Sequence, residues 1–326
     1  MSTQKILISK NVPREHLIPY EKEFEFTLPQ ENGGVFSYDY ILERIPEFDG
    51  YLAIDVIADK PLFNAAKKLK AIANYGVGYD KIDWEYATEL GIPVLNTPTQ
   101  VTETTAELTI ALMMAVMRSI PRYDKEVRQK IWKTLLFSDE NTLIHGSILG
   151  IIGFGRIGKA VCRKARGLGM DVIYYDKFRS PKEVEEEYGV TYKSFDEVLA
   201  ESDCVSLHTP YTPENFHMFN AETFAKMKPS AYFINAARGK LVDEPALCEA
   251  LKTGVIKGAG LDVFEEEPTV YEGLLSLDNA VLTPHVASQT MRSRIAMCHE
   301  ALEGLTAVLH GQIPPNIVNP TVLSSI

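Results

Sequence analysis

Three short stretches in the second half of the chain hold side chains able to bind an anion and move a proton. They are Asn235-Ala236-Ala237-Arg238-Gly239, Leu261-Asp262-Val263-Phe264-Glu265-Glu266-Glu267-Pro268 and Thr283-Pro284-His285-Val286-Ala287-Ser288. Each follows an apolar, strand-like run. A guanidinium captures a carboxylate through two parallel hydrogen bonds. An imidazole transfers a proton near neutral pH, and a neighbouring carboxylate orients its ring. Taken singly, each stretch has a plainer explanation: a surface ion pair for Arg238, a solvated loop for the glutamates, an ordinary turn for His285. Taken together, an arginine, a carboxylate and a histidine after three strands can converge at one sheet edge, where open α/β sheets bind ligands.

The element that would serve such a site is the stretch Leu149 to Asp176. An apolar run leads into Gly153-Phe154-Gly155-Arg156-Ile157-Gly158, a helical pattern follows, and a second apolar run ends in Asp176. Strand, glycine turn, helix, strand and acid in this order form a dinucleotide-binding fingerprint. Gly153 turns the chain out of the strand, Gly155 lets a pyrophosphate approach the backbone, and Gly158 lets the helix lie close to the strand. The helix start, at Arg156 and Ile157, offers N–H donors to phosphate. Asp176 comes 23 residues after Gly153. There its carboxylate accepts hydrogen bonds from a ribose and repels a 2′-phosphate, which argues for NAD over NADP. Lys177 and Arg179 stand near enough to soften that preference. A methyl-donor nucleoside suits the same turn and acid, so the fingerprint names a nucleotide site and not a reaction.

The elements that must position these groups alternate along the chain. Strand patterns at 5–9, 24–28, 51–54, 71–74 and 93–95 are interleaved with helical ones at 38–45, 61–68 and 84–89. Such alternation predicts a parallel sheet covered by helices. Asn74-Tyr75-Gly76-Val77-Gly78-Tyr79-Asp80 puts two glycines after a strand, a loop able to hold a small anion. A plain strand-to-helix turn capped by Asp80 explains it as well. An unusually apolar helix is predicted from Thr102 to Ser119, buried on most sides, with a second subunit as one possible cover. A further helix plus loop is expected over 121–141, a stretch that includes Lys125, Arg128, Trp132 and Phe137. Later strand patterns at 191–192, 204–207, 231–235, 258–262 and 280–282 complete a doubly wound sheet, and 290–310 reads as a long helix.

The bulk properties narrow the function classes. At 326 residues the chain is long enough for two cores. A net charge of −11 argues against a nucleic-acid partner, which favours a basic footprint. The four cysteines lie 42 or more residues apart, which suits neither a metal site nor a disulfide framework and fits a reducing cytoplasm. The N-terminus lacks a secretory pattern. The longest apolar run, Leu108 to Val116, falls well short of the ~20 residues a bilayer needs, so no membrane association is expected.

With these motifs in order, the sequence resembles the D-isomer-specific 2-hydroxyacid dehydrogenase family over nearly its whole length. The resemblance is carried by GVGYDKID (76–83), NTP (96–98), TTAE (104–107), GIIGFGRIG (150–158), INAARGKLVDE (234–244), GAGLDVFEEEP (258–268) and TPHVAS (283–288). It implies Arg238 as the residue that binds the substrate carboxylate and carbonyl, His285 as the acid/base, and Glu267, rather than Glu265 or Glu266, as its carboxylate partner. It implies cofactor contacts at Asp262 and Thr105 and a substrate carboxylate on the Val77 and Gly78 amides. The implied fold is α/β: two parallel-sheet domains, a doubly wound Rossmann NAD-binding domain at 101–285 and a flavodoxin-like substrate domain, discontinuous in sequence, at 1–100 plus 286–326. The implied protein is a homodimer acting on a small 2-oxo or 2-hydroxy acid, nearest in its loop to glyoxylate/hydroxypyruvate or 2-ketogluconate reductases. Related co-repressors keep the fold and the catalytic residues, so an NAD-sensing binding protein is the alternative.

Overall fold

In the computed structural model, residues 3–132 and 141–325 are described, and they divide into two compact units, Met1–Val101 with Gln289–Ile326, and Thr102–Ser288. The first unit holds five parallel strands: β1 (Gln4–Ile8), β2 (Phe24–Thr27), β3 (Gly50–Ala53), β4 (Ala71–Asn74) and β5 (Val94–Leu95), in the order β2-β1-β3-β4-β5. That is the flavodoxin-like order. Alternation along the strands divides their apolar side chains between two faces. Leu7, Tyr51 and Ile72 pack with Ile41, Leu62 and Phe63 on one face. Ile6, Ile8, Leu52 and Ala73 pack on the other with Cys298, Ala301, Leu302 and Leu305, from the helix Met291–Leu309. That helix is why the C-terminal segment belongs to the first unit.

The second unit holds seven parallel strands: β6 (Ile148–Ile152), β7 (Asp171–Tyr175), β8 (Thr191–Tyr192), β9 (Cys204–Leu207), β10 (Tyr232–Asn235), β11 (Gly258–Leu261) and β12 (Ala280–Leu282). Their order is β12-β11-β10-β9-β6-β7-β8, the doubly wound arrangement with one added edge strand. The expected α/β architecture of two parallel sheets is therefore present. The helix Thr102–Met117 crosses β10 to β12 and packs on the helix Arg156–Gly167. It lies so close to β11 that a Cβ at Gly260 would stand 3.0 Å from Leu112 Cβ. It buries Ala106, Leu112, Met113, Val116 and Met117 inside its own unit, which accounts for much of its apolar character.

One expectation is met as far as the described residues reach, and one helix lies outside the expected set. The region after Pro121 forms a helix at Ile120–Arg128, while residues 133–140, with Phe137, lie outside the described residues. A helix the apolar pattern does not predict runs over Lys182–Tyr188. Its buried position is Glu185, whose carboxylate accepts from Tyr174 Oη at 2.8 Å and from Arg179 Nε and Nη2 at 2.8 and 2.9 Å. A helix that packs through a paired glutamate leaves no apolar periodicity to read.

Candidate active site

Each glycine of the turn after β6 is dictated by its surroundings. Gly153 has φ +95°, and a Cβ there would stand 2.7 Å from both the His208 carbonyl carbon and the Thr209 nitrogen, in the loop after β9. A Cβ at Gly158 would stand 2.3 Å from the Gly153 oxygen, so helix and strand touch backbone to backbone. A Cβ at Gly155 would meet nothing within 4 Å. Space is therefore kept above Gly155, beside the N-terminus of the helix Arg156–Gly167, with Arg156 exposed and Ile157 half-buried. The strand order reverses between β6 and β9, the crevice where dinucleotides bind such sheets. Asp176 ends β7, its carboxylate accepting from the N–H groups of Phe154 (2.7 Å) and Phe178 (3.0 Å). A cradle open to phosphate, a helix dipole and an anchored carboxylate fit a nicotinamide dinucleotide.

One residue expected near the cofactor sits differently from the sequence-level picture. Arg179 does not stand ready for a 2′-phosphate, because its guanidinium forks onto Glu185 and lies 5.1 Å from the Tyr192 ring centroid. Thr105, expected near the nicotinamide, is buried at the start of the helix Thr102–Met117.

Arg238, Glu267 and His285 follow β10, β11 and β12, three adjacent strands. Neighbouring strands lie about 4.8 Å apart, so this alignment brings together groups distant in sequence. Asn235, the last residue of β10, clamps the arginine's turn: its Nδ2 donates to the Arg238 oxygen at 2.9 Å and its Oδ1 accepts from Ala237 N at 3.0 Å. Gly239 then presses on the next loop, where a Cβ would stand 1.9 Å from the Phe264 carbonyl carbon. That loop is held by Glu244, whose carboxylate accepts from the N–H groups of Glu265 (2.8 Å) and Tyr271 (3.2 Å). Burial pushes the Glu244 carboxyl above its ordinary value.

The three glutamates of the loop have separate fates. Glu265 pairs with His217 Nε2 at 2.8 Å. Glu266 accepts from Thr269 N at 2.8 Å through its backbone oxygen, and its carboxylate has no partner among the described residues. Glu267 accepts from Phe264 N at 3.1 Å through Oε1 and meets His285 Nδ1 at 2.8 Å through Oε2. His285 itself has φ +51°, an uncommon conformation for a residue with a side chain. It is imposed by Asp262, which is fully buried. The Asp262 carbonyl accepts from His285 N at 2.8 Å, and its carboxylate accepts from Thr283 Oγ1 (2.6 Å), Val286 N (2.9 Å) and Ala287 N (2.9 Å). With Nδ1 held by Glu267, the imidazole presents Nε2 as the atom free to exchange a proton.

In the first unit, the loop after β4 turns its carbonyls inward. Asn74 Nδ2 donates to the oxygens of Gly76 (3.1 Å) and Gly78 (2.8 Å), Asn96 Nδ2 to that of Val77 (2.9 Å), and Thr97 N to that of Gly76 (2.9 Å). The N–H groups of Val77 and Gly78 have no acceptor among the described residues. The following helix is capped by Asp83, which accepts from Tyr86 N at 3.0 Å, and not by Asp80. A plain capped turn at Asp80 is thereby displaced by a loop with two open donors.

Sequence reasoning missed Asn74, Asn96, Asn235, Glu244 and the His217–Glu265 pair. The legible signal was an asparagine ending both β4 and β10, a residue that hydrogen-bonds its own following turn. It also missed His208, at the end of β9, bonded through Nε2 to Ser206 Oγ at 2.8 Å. Burial pulls that imidazole down to about 3, so it stays neutral beside the glycine turn.

A doubly wound sheet with this turn, this carboxylate and an Arg–Glu–His set at its next strand ends defines the class: an oxidoreductase using a nicotinamide dinucleotide. The comparisons make the class specific. Residues 110–287 match the family model described as D-isomer specific 2-hydroxyacid dehydrogenase, NAD binding domain. A glyoxylate reductase of Thermococcus litoralis is 44% identical over 330 residues, 98% of each chain. The crystal structure of a glyoxylate reductase from Paecilomyes thermophila has a TM-score of 0.88 at 32% identity, covering 98% of this chain and 99% of that one. An NADPH-dependent glyoxylate/hydroxypyruvate reductase from Sinorhizobium meliloti has a TM-score of 0.83 at 31% identity, covering 98% of both chains. The chain belongs to the D-isomer-specific 2-hydroxyacid dehydrogenase family and is an NAD(P)-dependent oxidoreductase of 2-oxo and 2-hydroxy acids.

Proposed function

We propose that the protein reduces glyoxylate, hydroxypyruvate and similar small 2-oxo acids to D-2-hydroxy acids with NADH, reversibly. The observation that carries this reading is the His285–Glu267 pair at 2.8 Å, one strand over from the loop of Arg238. A bound nicotinamide supplies the hydride for the carbonyl carbon. Arg238 binds the substrate and stabilises the negative charge that grows on the ketone oxygen. His285 delivers a proton to that oxygen from Nε2, with Glu267 fixing the ring and balancing its charge. Asp262 keeps His285 in its left-handed conformation and is the proposed contact for the nicotinamide amide, with Thr105 near the same ring. Gly153, Gly155, Arg156, Ile157 and Gly158 hold the pyrophosphate. The open N–H groups of Val77 and Gly78 support their assignment to the substrate carboxylate.

Replacing His285 by Ala is expected to cut turnover of glyoxylate about 100-fold or more, with NADH binding, read from its fluorescence, kept. Near-normal turnover in that variant overturns the proton-donor assignment.

The anchored carboxylate of Asp176 and the commitment of Arg179 to Glu185 support NADH over NADPH. The ratio of kcat/KM for the two cofactors measures this. The exposed apolar side chains Met114, Ile120, Val127 and Trp132 support a homodimer through this region, which sedimentation tests. All four cysteines are buried and free, which supports the cytoplasm as its compartment.

A further inference from the structure

His217 lies in the segment between β9 and the helix Ala221–Ala225 and meets two of the catalytic loops at once. Its backbone N–H donates to the Lys240 oxygen at 3.0 Å, two residues after Arg238, and Phe219 N donates to the next oxygen, that of Leu241, at 3.0 Å. Its side chain goes the other way, with Nε2 2.8 Å from Glu265 Oε1, two residues before Glu267. A carboxylate only accepts, so the ring is the donor. One histidine is thus fastened by its backbone to the loop of Arg238 and by its imidazole to the loop of Glu267.

Its own placement is tightly specified. φ is +51°, the value His285 also has, and a residue with a side chain keeps such a conformation only where its surroundings over-determine it. Here the Phe216 ring stacks on the imidazole, 3.8 Å between centroids and 19° between planes, and Asn220 Nδ2 donates to the His217 oxygen at 3.3 Å. The two paired side chains are largely covered, 27% exposed for His217 and 21% for Glu265, which separates them from a loose surface ion pair. The loop they hold is crowded with acids. Burial, and after it the charges of Glu265 and Glu267, push the Glu244 carboxyl above its ordinary value, so the three carboxylates act on one another. Like charges at that range repel, and His217 takes up Glu265 while Glu267 goes to His285.

We propose that His217 is a positioning residue for the reaction: through Glu265 it fixes the loop that keeps the Glu267 carboxylate on Nδ1 of His285. This rests on the assignment of His285 as proton donor and adds the group that holds its partner in place. His217 itself touches neither substrate nor cofactor in this role.

The test measures glyoxylate reduction with NADH in a small set of variants. His217→Ala removes the ring and leaves the backbone bond to Lys240, so it reads the Glu265 side of the clasp alone. Its kcat should fall about ten-fold, the scale of a slightly misplaced reacting group, while the glyoxylate KM and the Kd for NADH stay within about three-fold. His217→Gln, whose Nε2 donates from the same distance along the side chain, should stay within about three-fold of wild type in kcat. Glu265→Ala should match His217→Ala, and the double variant should be no slower than either, because both remove one bond. Wild-type kcat in His217→Ala, losses that multiply in the double variant, or an equal loss in kcat and NADH affinity overturns the inference and leaves the proton-donor reading standing. Near-normal turnover in His285→Ala overturns both. Should His217→Ala fail to fold, Glu265→Gln against Glu265→Ala decides, since glutamine still accepts from His217: about a ten-fold gap in kcat is expected, and no gap overturns the inference.

Discussion

Two loops of this protein present open backbone N–H groups at the carboxyl end of a parallel strand, and they do so by different means. After β6 the donors are exposed by sterics: Gly153 at φ +95°, Gly158 with its backbone against that of Gly153, and a helix of twelve residues aimed at the space over Gly155. After β4 neither Gly76 nor Gly78 has a positive φ. The loop there is turned by side-chain amides, with Asn74 and Asn96 binding three of its carbonyls, while the N–H groups of Val77 and Gly78 have no acceptor among the described residues. A conformation that only glycine tolerates is rigid without any side chain, and the helix dipole adds charge, which suits a diphosphate. A loop shaped by hydrogen bonds suits a single carboxylate.

Gly153→Ala gives the sharpest break. A methyl group 2.7 Å from two backbone atoms, at a φ disfavoured for alanine, should cost about 3 kcal/mol or more, read as a lowered urea midpoint. A wild-type midpoint would remove the steric half of the contrast. Asn74→Ala takes away two hydrogen bonds from the other loop. It should raise the glyoxylate KM about ten-fold while NADH affinity stays within about two-fold. Equal changes in both constants would mean that this loop is not a separate anion holder. Gly155→Ala fills only open space. Its urea midpoint should match wild type while its Kd for NADH rises about five- to ten-fold, the scale of one lost hydrogen bond. Unchanged Kd would show that the space over Gly155 is not where the pyrophosphate lies.

The smallest effect concerns the scaffold beside Asp176. The Arg179 guanidinium, bonded to Glu185, holds the Glu185 carboxyl down at about 2, below its ordinary value. A carboxyl that is depressed in the folded state stabilises it above the unfolded value near pH 4, and loses that contribution as pH falls toward 2. Wild type should therefore exceed Glu185→Gln in urea midpoint at pH 7, with the gap closing between about pH 4.5 and 2. A gap that persists unchanged to pH 2 would detach Glu185 from that ion pair.

Much of the fold was legible because parallel strands buried on both faces are short apolar runs. β4, β6, β8, β9 and β12 coincide with their sequence patterns, and the glycine turn declares itself through residues only four or five positions apart. The helix Lys182–Tyr188 was not legible, since its inward residue is a glutamate. Nor did spacing separate Glu265, Glu266 and Glu267. Choosing among them took the family resemblance, and the geometry then gave Glu265 to His217 and Glu267 to His285.

Local order was within reach of the sequence: where strands and helices begin, which glycines must turn, which acid ends β7. Each of these depends on neighbours within a few residues, whose sterics and periodicity act along the chain. Partnership was settled by tertiary structure alone. That Asp262 spends its carboxylate on the loop of His285 and that Arg179 is taken by Glu185 both follow from groups that sheet pairing and helix packing bring side by side. A hydrogen bond acts over about 3 Å, whichever residues the fold brings to that distance.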